Sequence, residues 1–247
     1  MKRFDIIDIL KGIAVIFMIT FHVFYFPNQY GFKEIKYDTK PLYICSKIAQ
    51  YIFIICVGIN LSITKLSSKE NINKEEFNQK SIQRILKIAL LALFMTLFSW
   101  FIFGDKYIKF GILHFIAIIS LILFNYADNT KLIQILLILS IIINYLIKHS
   151  PNLFQKVPEK LAFILGFYNK KYTSVDHFPI FPWIIFIFIG MIIGNKIVHI
   201  NEPEYNNIVL NTLKGIGKKS LKIYVVHWII LYIVYCHLYQ KFCRLKL

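Results

Sequence analysis

The chain has 247 residues, of which 57% are hydrophobic and only 17% are charged, and its mean hydropathy is +0.58. Soluble domains contain about 45–50% apolar and about 25% charged residues, so this composition excludes a soluble globular domain, a disordered chain and a coiled coil. Lys and Arg outnumber Asp and Glu by 29 to 13, which gives a net charge of +16. Because the basic residues lie between apolar runs, they indicate loops at an anionic membrane surface or a site for an anionic ligand, and they argue against nucleic acid as a partner.

Long apolar runs divide the whole chain. A helix needs about 20 apolar residues to cross a bilayer. Seven runs approach this length, at about 6–26, 42–64, 85–103, 108–126, 132–147, 182–198 and 221–239. The sequence therefore predicts an all-α polytopic integral membrane protein, with about seven transmembrane helices in one bundle and a single domain over residues 1–247.

The connections between the predicted spans are less regular. Long ones are expected at about 27–40, 66–84 and 149–181, the second of them strongly charged. A short apolar run, Leu161 to Phe167, predicts a re-entrant or interfacial segment. Basic residues fall almost equally on both sides of the spans, so the positive-inside rule barely decides the orientation. Lys2 and Arg3 favour a cytoplasmic N-terminus, with the protein in the cell membrane.

Three ionisable residues interrupt the first apolar run, DIIDILKGIAVIFMITFH. At 100° per residue, Lys11 lies about 60° from Asp8 around the helix, and His22 lies about 20° from Lys11. Asp8 and Lys11 are spaced to pair, whereas His22 lies about 16 Å further along the axis. Ionisable side chains are costly inside a bilayer and mark functional sites by default. The alternative is an interfacial ion pair with a hydrogen-bonded core histidine.

Further polar residues lie in three other segments. FGILHFI places His114 one turn into an apolar stretch, and DHFPIFPW carries Asp176, His177 and Trp183 at the entry to a span. Asp176 beside His177 is suited to an acid–base group, or else this segment is a turn with interfacial aromatic residues. SLKIYVVHW places His227 in an apolar run, where a lone histidine is more often a core residue.

The spacing of these residues limits the chemistry. Histidines at i and i+4, or a CxxC pair, are absent from the sequence, so no metal is expected. No internal repeat points to a channel or an alternating-access transporter. A general-base histidine, with a cation to hold an anionic donor, fits better. A proton-coupled transporter with a relay through Asp8, His22 and His114, and a non-catalytic scaffold, remain as alternatives.

The first helix resembles that of the transmembrane acyltransferases of the acyltransferase-3 group. In those proteins a basic residue, usually Arg, is followed after ten residues by His, as Lys11 is by His22 here. Taken together, the four quoted segments resemble more closely the bacterial proteins related to the catalytic domain of heparan-alpha-glucosaminide N-acetyltransferase. The resemblance implies a membrane acetyltransferase, which moves an acetyl group from cytoplasmic acetyl-CoA to an amine or hydroxyl of an extracytoplasmic sugar or glycan.

The resemblance also implies roles for individual residues. His22 is expected to act as general base or to carry the acetyl group transiently, since the loop 27–40 lacks the histidine that is assigned this role in the eukaryotic enzymes. The other catalytic residues expected are Asp8, His114, Asp176 and His177. Binding of the CoA phosphates is expected from Lys11, Arg84 and Lys87, and binding of substrate from Trp183 and His227. A homodimer is compatible with the sequence.

Overall fold

The computed structural model describes residues 4–29, 34–69, 71–167, 173–203, 205 and 207–238. Most of these residues lie in α-helices: α1 (Asp5–Gln29), α2 (Lys40–Lys69), α3 (Lys74–Phe103), α4 (Ile112–Leu123), α5 (Thr130–His149), α6 (Glu159–Leu165), α7 (Ile180–Ile197), α8 (Ile208–Lys218) and α9 (Ser220–Leu238). Short 3-10 helices follow α3, α4 and α5. The described residues contain no β-strand, and an isolated bridge joins Phe110 to His177.

The prediction of an all-α polytopic membrane protein is confirmed. Within the described residues, six helices are long and apolar enough to cross a membrane: α1, α2, α3, α5, α7 and α9. Lys2, Arg3 and the end of the last predicted span at Tyr239 lie outside the described residues. The regular part of α7 begins at Pro182, as predicted, because Phe181 has an extended backbone.

The fourth predicted span is shorter than expected. Its α-helix, α4, has 12 residues and continues only into a 3-10 turn, Phe124–Tyr126. The residues before α4 hydrogen-bond elsewhere: Val175 N donates to the Lys106 carbonyl (2.8 Å), and Phe178 N donates to the Phe110 carbonyl (2.9 Å). The predicted helix start at Ile108 is therefore wrong, because this apolar segment pairs with a distant part of the chain.

Other boundaries move in the opposite direction. The expected charged connection at 66–84 is mostly helical, since α2 continues to Lys69 and α3 begins at Lys74. Its Glu, Lys and Gln residues are good helix formers. Lys80 contacts Glu76 one turn away at 2.5 Å. The run at 161–167 forms α6, which ends at Gly166 in a left-handed conformation (φ 93°) that favours glycine.

The chain forms two compact units. The central unit is Val57–Ile200, with the second part of α2 and helices α3 to α7. The terminal unit comprises the described residues between 4 and 56 and between 201 and 238, with α1, the first part of α2, α8 and α9. The single domain expected from the sequence stays a prediction.

A buried polar cluster connects three parts of the central unit. Ser62 Oγ on α2 lies 2.8 Å from the Ala127 carbonyl and 3.0 Å from the Met191 carbonyl. Asn195 Nδ2 on α7 donates to the same two carbonyls, each at 3.0 Å. Because main-chain carbonyls in an apolar interior need hydrogen-bond donors, these two side chains hold α2, the turn before α5 and α7 together.

In the terminal unit, α1 packs against α8 at unusually short range. A Cβ atom on Gly217 would overlap the carbonyl oxygen of Asp8, and one on Gly12 would overlap that of Leu213. Only glycine allows two helix backbones to approach this closely, as in other small-residue contacts between membrane helices. This contact fixes the first half of α1, from which Asp8 and Lys11 project.

Candidate functional site

Two histidines from opposite ends of the chain meet in the terminal unit. His227 Nε2 on α9 lies 3.3 Å from His22 Nδ1 on α1, and the ring centroids are 4.9 Å apart. His227 Nδ1 lies 3.1 Å from the carbonyl of Ile223, one turn earlier on α9. The sequence predicted functional roles for both histidines without predicting this contact.

The direction of each hydrogen bond follows from the partners. A carbonyl oxygen only accepts, so Nδ1 of His227 carries the proton in its bond to Ile223. Nε2 of His227 is then an acceptor, and Nδ1 of His22 donates to it. Nε2 of His22 consequently holds the lone pair of this hydrogen-bonded chain. A histidine nitrogen of this kind is suited to accept a proton from a substrate.

Aromatic rings enclose the pair. Trp228 is 1% exposed, and its ring centroid lies 5.6 Å from that of His22 and 4.8 Å from that of Phe26. Tyr25 lies one turn further along α1, and its ring centroid is 6.1 Å from that of His22 and 5.2 Å from that of Tyr37. His227 is buried, whereas His22 is only half-buried. The more accessible member of the pair is therefore the one with the basic nitrogen.

Asp8 and Lys11 form the ion pair expected from their spacing, with Lys11 Nζ 3.5 Å from Asp8 Oδ1. Asp8 is 2% exposed, and the side chain of Lys11 is 19% exposed. His22 lies about 16 Å from Lys11 along the axis of α1. The Asp8–Lys11 ion pair and His22 are therefore separate points on α1, and a ligand that contacts both would have to span the distance between them.

The start of α1 is held by a residue that the sequence analysis did not single out. Both carboxylate oxygens of Glu202 accept main-chain hydrogen bonds, from Asp5 N and Ile6 N, each at 2.6 Å. Lys214 on α8 contacts the Asp5 carboxylate. A carboxylate at the first amide groups of a helix satisfies unpaired donors and complements the helix dipole. Glu202 thus orients the helix that carries His22.

In the central unit, His114 holds the beginning of α4. Gly111 N donates to its Nδ1 at 3.3 Å, and its Nε2 lies 3.0 Å from Thr96 Oγ1. Thr96 gives its own proton to the Ile108 carbonyl (2.9 Å), so its oxygen accepts from His114 Nε2. Both ring nitrogens of His114 are therefore hydrogen-bonded within the protein, and these bonds hold the segment before α4 against α3. The catalytic role expected for His114 stays a prediction.

Asp176 and His177 lie beside the same part of the fold. Asp176 Oδ2 accepts a hydrogen bond from Ile112 N at 3.1 Å, at the first residue of α4. His177 Nε2 donates to the Phe163 carbonyl at 2.9 Å, and its ring stacks on Phe163 with centroids 3.9 Å apart. Burial lowers the pKa of His177, although the bond to Phe163 opposes this shift. The acid–base roles of these two residues stay predictions.

The remaining predicted residues also belong to the central unit. Trp183 is 7% exposed and stacks on Phe178, with ring centroids 4.2 Å apart. Arg84 and Lys87 are exposed on α3, and their assignment to the CoA phosphates stays a prediction from the sequence. Within the described part of the chain, no group of three or more His, Cys, Asp or Glu residues is arranged to hold a metal ion.

A family model described as "Heparan-alpha-glucosaminide N-acetyltransferase, catalytic" matches residues 3–229. The chain belongs to this family. The match confirms the resemblance drawn from four short segments, and it includes both His22 and His227. Comparisons with curated proteins and with solved structures gave no match. With its six apolar helices, the chain is a multi-pass membrane protein of an acetyltransferase family.

Proposed function

We propose that this protein transfers an acetyl group from cytoplasmic acetyl-CoA to an amine or hydroxyl of a sugar or glycan outside the cell membrane, with its N-terminus in the cytoplasm. The single observation that carries the proposal is the His22–His227 pair, which leaves a basic nitrogen on the partly accessible ring. The family match supports the acetyl-transfer chemistry.

In the proposed reaction His22 acts as the general base. Its Nε2 takes the proton of the acceptor amine or hydroxyl while the acceptor nitrogen or oxygen attacks the carbonyl carbon of the thioester. The carbon–sulfur bond then breaks, and the sulfur leaves as a thiolate that receives the proton from His22. His227 is a positioning residue, because its Nε2 accepts from Nδ1 of His22 and supports the ring when it is positively charged. General-base catalysis of this kind contributes about 10²- to 10⁴-fold to the rate.

The surroundings of His22 favour a sugar as the acceptor. Tyr25 stands next to the His22 ring and contacts Tyr37, and Phe21 stacks on Tyr25 with ring centroids 5.4 Å apart. Aromatic rings with polar edges suit the apolar faces and hydroxyl groups of a sugar ring. On the donor side, we assign Lys11 to a phosphate of CoA because it is a cation on the helix that carries His22.

The test uses purified protein in nanodiscs with radiolabelled acetyl-CoA and a panel of amino sugars and neutral sugars. We expect His22→Ala to reduce the labelled product to background. His237→Ala provides the matched control, since His237 is an exposed histidine in the last turn of α9, and it should transfer like wild type. Alkaline hydroxylamine separates the two acceptor types, because it removes O-acetyl esters and leaves N-acetyl amides intact.

Equal transfer by wild type and His22→Ala, with both proteins monodisperse, would contradict the assignment of the base. The transporter alternative predicts a different result: substrate flux in proteoliposomes without any acetyl-CoA. Such flux, together with no labelled product from any acceptor, would overturn the proposed function.

A further inference from the structure

A groove of about 440 Å³ runs along α9 in the terminal unit, beside Ile19 of α1. Two rows of side chains line it. Residues four apart lie on one face of a helix. One row is Lys219, Ile223 and His227, and the other is Lys222, Val226 and Ile230. Each row therefore begins with a lysine: the first continues through Ile223 to His227, and the second continues with the apolar side chains of Val226 and Ile230.

The groove is open along its apolar part. Val226 is 45% exposed and Ile230 is 52% exposed, on a helix that is long and apolar enough to cross a membrane. Lys219 and Lys222 are also exposed, and neither contacts a carboxylate among the residues that the structure describes. The groove thus offers an apolar channel with two exposed lysines at one end.

The length of the groove matches one leaflet of a bilayer. From Lys219 to Ile230 the chain advances eleven residues, which is about 17 Å at the rise of an α-helix. The hydrocarbon core of a bilayer is about 30 Å thick, so each leaflet contributes about 15 Å. With the lysines at headgroup level, where such side chains are favoured, the apolar part lies alongside the acyl chains of that leaflet.

We propose that this groove binds one anionic phospholipid, with its phosphate at Lys219 and Lys222 and one acyl chain along Val226 and Ile230. The pantetheine arm of CoA suits the groove less well, because its amide groups need hydrogen bonds in an apolar environment. The nitrogens of His227 are already bonded to Ile223 and His22, so this ring offers the groove no free polar group. The lipid site does not rest on the proposed acetyltransferase activity.

The first test measures lipid retention by native mass spectrometry, with full-length protein in detergent and phosphatidylglycerol or phosphatidylcholine added. Wild type should retain phosphatidylglycerol preferentially. Lys219→Gln and Lys222→Gln should each weaken its binding about fivefold, the size expected for one basic residue near an anionic surface. Lys218→Gln is the matched control, because Lys218 is exposed at the end of α8 but does not line the groove.

A second pair of variants fills the groove. Ile230→Trp places a bulky ring in the acyl channel and should abolish the preference for phosphatidylglycerol. Ile233→Trp, at a residue that is 59% exposed on α9 but outside the groove, should leave the preference unchanged. Thermal unfolding confirms that each variant is folded, and the lysine variants decide the question if Ile230→Trp does not fold.

Three results would overturn the proposal. The first is the absence of any preference in wild type, and the second is an equal preference in wild type, Lys219→Gln and Lys222→Gln. The third is displacement of phosphatidylglycerol by CoA, with loss of CoA binding in the lysine variants, which would make the groove the donor site. None of these results depends on whether His22 catalyses acetyl transfer.

Discussion

The histidines of the two units are used in different ways. In the central unit, His114 and His177 bond to a hydroxyl or to the main chain, and they hold backbone segments in place. In the terminal unit, His227 bonds to His22, and the hydrogen-bonded chain ends at a basic nitrogen. Both groups sit in apolar surroundings, where ionisable residues are costly. The hydrogen-bond partner, rather than the presence of the histidine, distinguishes the ring that we propose as the general base from the rings of the central unit.

We expect the largest effect from a displacement of α1, which carries His22. Gly217→Ala places a methyl group against the main chain of Asp8, which cannot yield without displacing the helix that carries His22. We expect a severalfold loss of monodisperse protein after detergent extraction. The central unit's hydrogen bonds at His114 are untouched by this change.

The control lies two residues away on the same helix. Gly215 has open space where a Cβ would be, so Gly215→Ala meets no neighbour. Alanine is favoured over glycine inside a helix by about 1 kcal/mol, and the thermal midpoint should stay the same or rise. If Gly217→Ala behaves like Gly215→Ala, the close contact between α1 and α8 is not needed for folding.

A second variant tests the histidine pair directly. His227→Leu removes the acceptor that orients His22, a hydrogen bond of about 1–3 kcal/mol when its loss leaves a buried group unpaired. Since 1.36 kcal/mol corresponds to tenfold in rate, we expect kcat for acetyl transfer to fall about tenfold or more. His227→Gln, which keeps a side-chain acceptor, should recover part of this loss. A rise in KM alone, with kcat unchanged, would instead assign His227 to substrate binding.

His114→Leu should lower the stability of the protein and leave its rate of acetyl transfer unchanged. It leaves Gly111 N and Thr96 Oγ1 without their partner, so the free energy of unfolding should drop by about 1–3 kcal/mol. The rate per folded molecule should match wild type, as measured by acetyl transfer normalised to monodisperse protein. A large loss of kcat at unchanged thermal midpoint would instead support the catalytic role predicted from the sequence.

The smallest expected effect concerns the pH dependence of stability. Burial holds the pKa of His177 below its ordinary value of about 6.5, so the folded protein binds this proton less readily than the unfolded chain. Neutral His177 therefore contributes fully to the free energy of unfolding above pH 6.5, and this contribution is lost as the pH falls through the folded-state pKa.

His177→Gln keeps a donor for Phe163 but does not titrate. Its thermal midpoint should therefore fall less than that of wild type as the pH is lowered below about 6.5. Parallel curves for the two proteins would show that the protonation of His177 is not linked to folding.

The membrane spans were largely predictable because hydropathy depends on local composition. The exception is the segment that begins at Ile108. Its apolar residues favour a helix, but the Phe110 carbonyl accepts a hydrogen bond from Phe178 N, which lies far along the chain. The start of α3 was missed for the converse reason, since a charged segment reads as a loop until its helix-forming residues are counted.

In the candidate site, too, local contacts could be predicted from the sequence and contacts between distant parts of the chain could not. The ion pair of Asp8 and Lys11 was predictable because the two residues are one turn apart on a helix. The contact between His22 and His227 spans 205 residues, and helical periodicity says nothing about which helices meet. The role of Glu202 at the start of α1 was also hidden, because the carboxylate caps a helix that begins almost 200 positions earlier.

The direction of the bonds at the four histidines gives each ring a distinct chemical identity. In the neutral form, His22 and His227 carry their proton on Nδ1, whereas His114 and His177 carry theirs on Nε2. The ¹⁵N chemical shifts of an imidazole differ between these two tautomers. In a ¹⁵N-histidine-labelled sample, the tautomer therefore distinguishes His22 and His227 from His114 and His177.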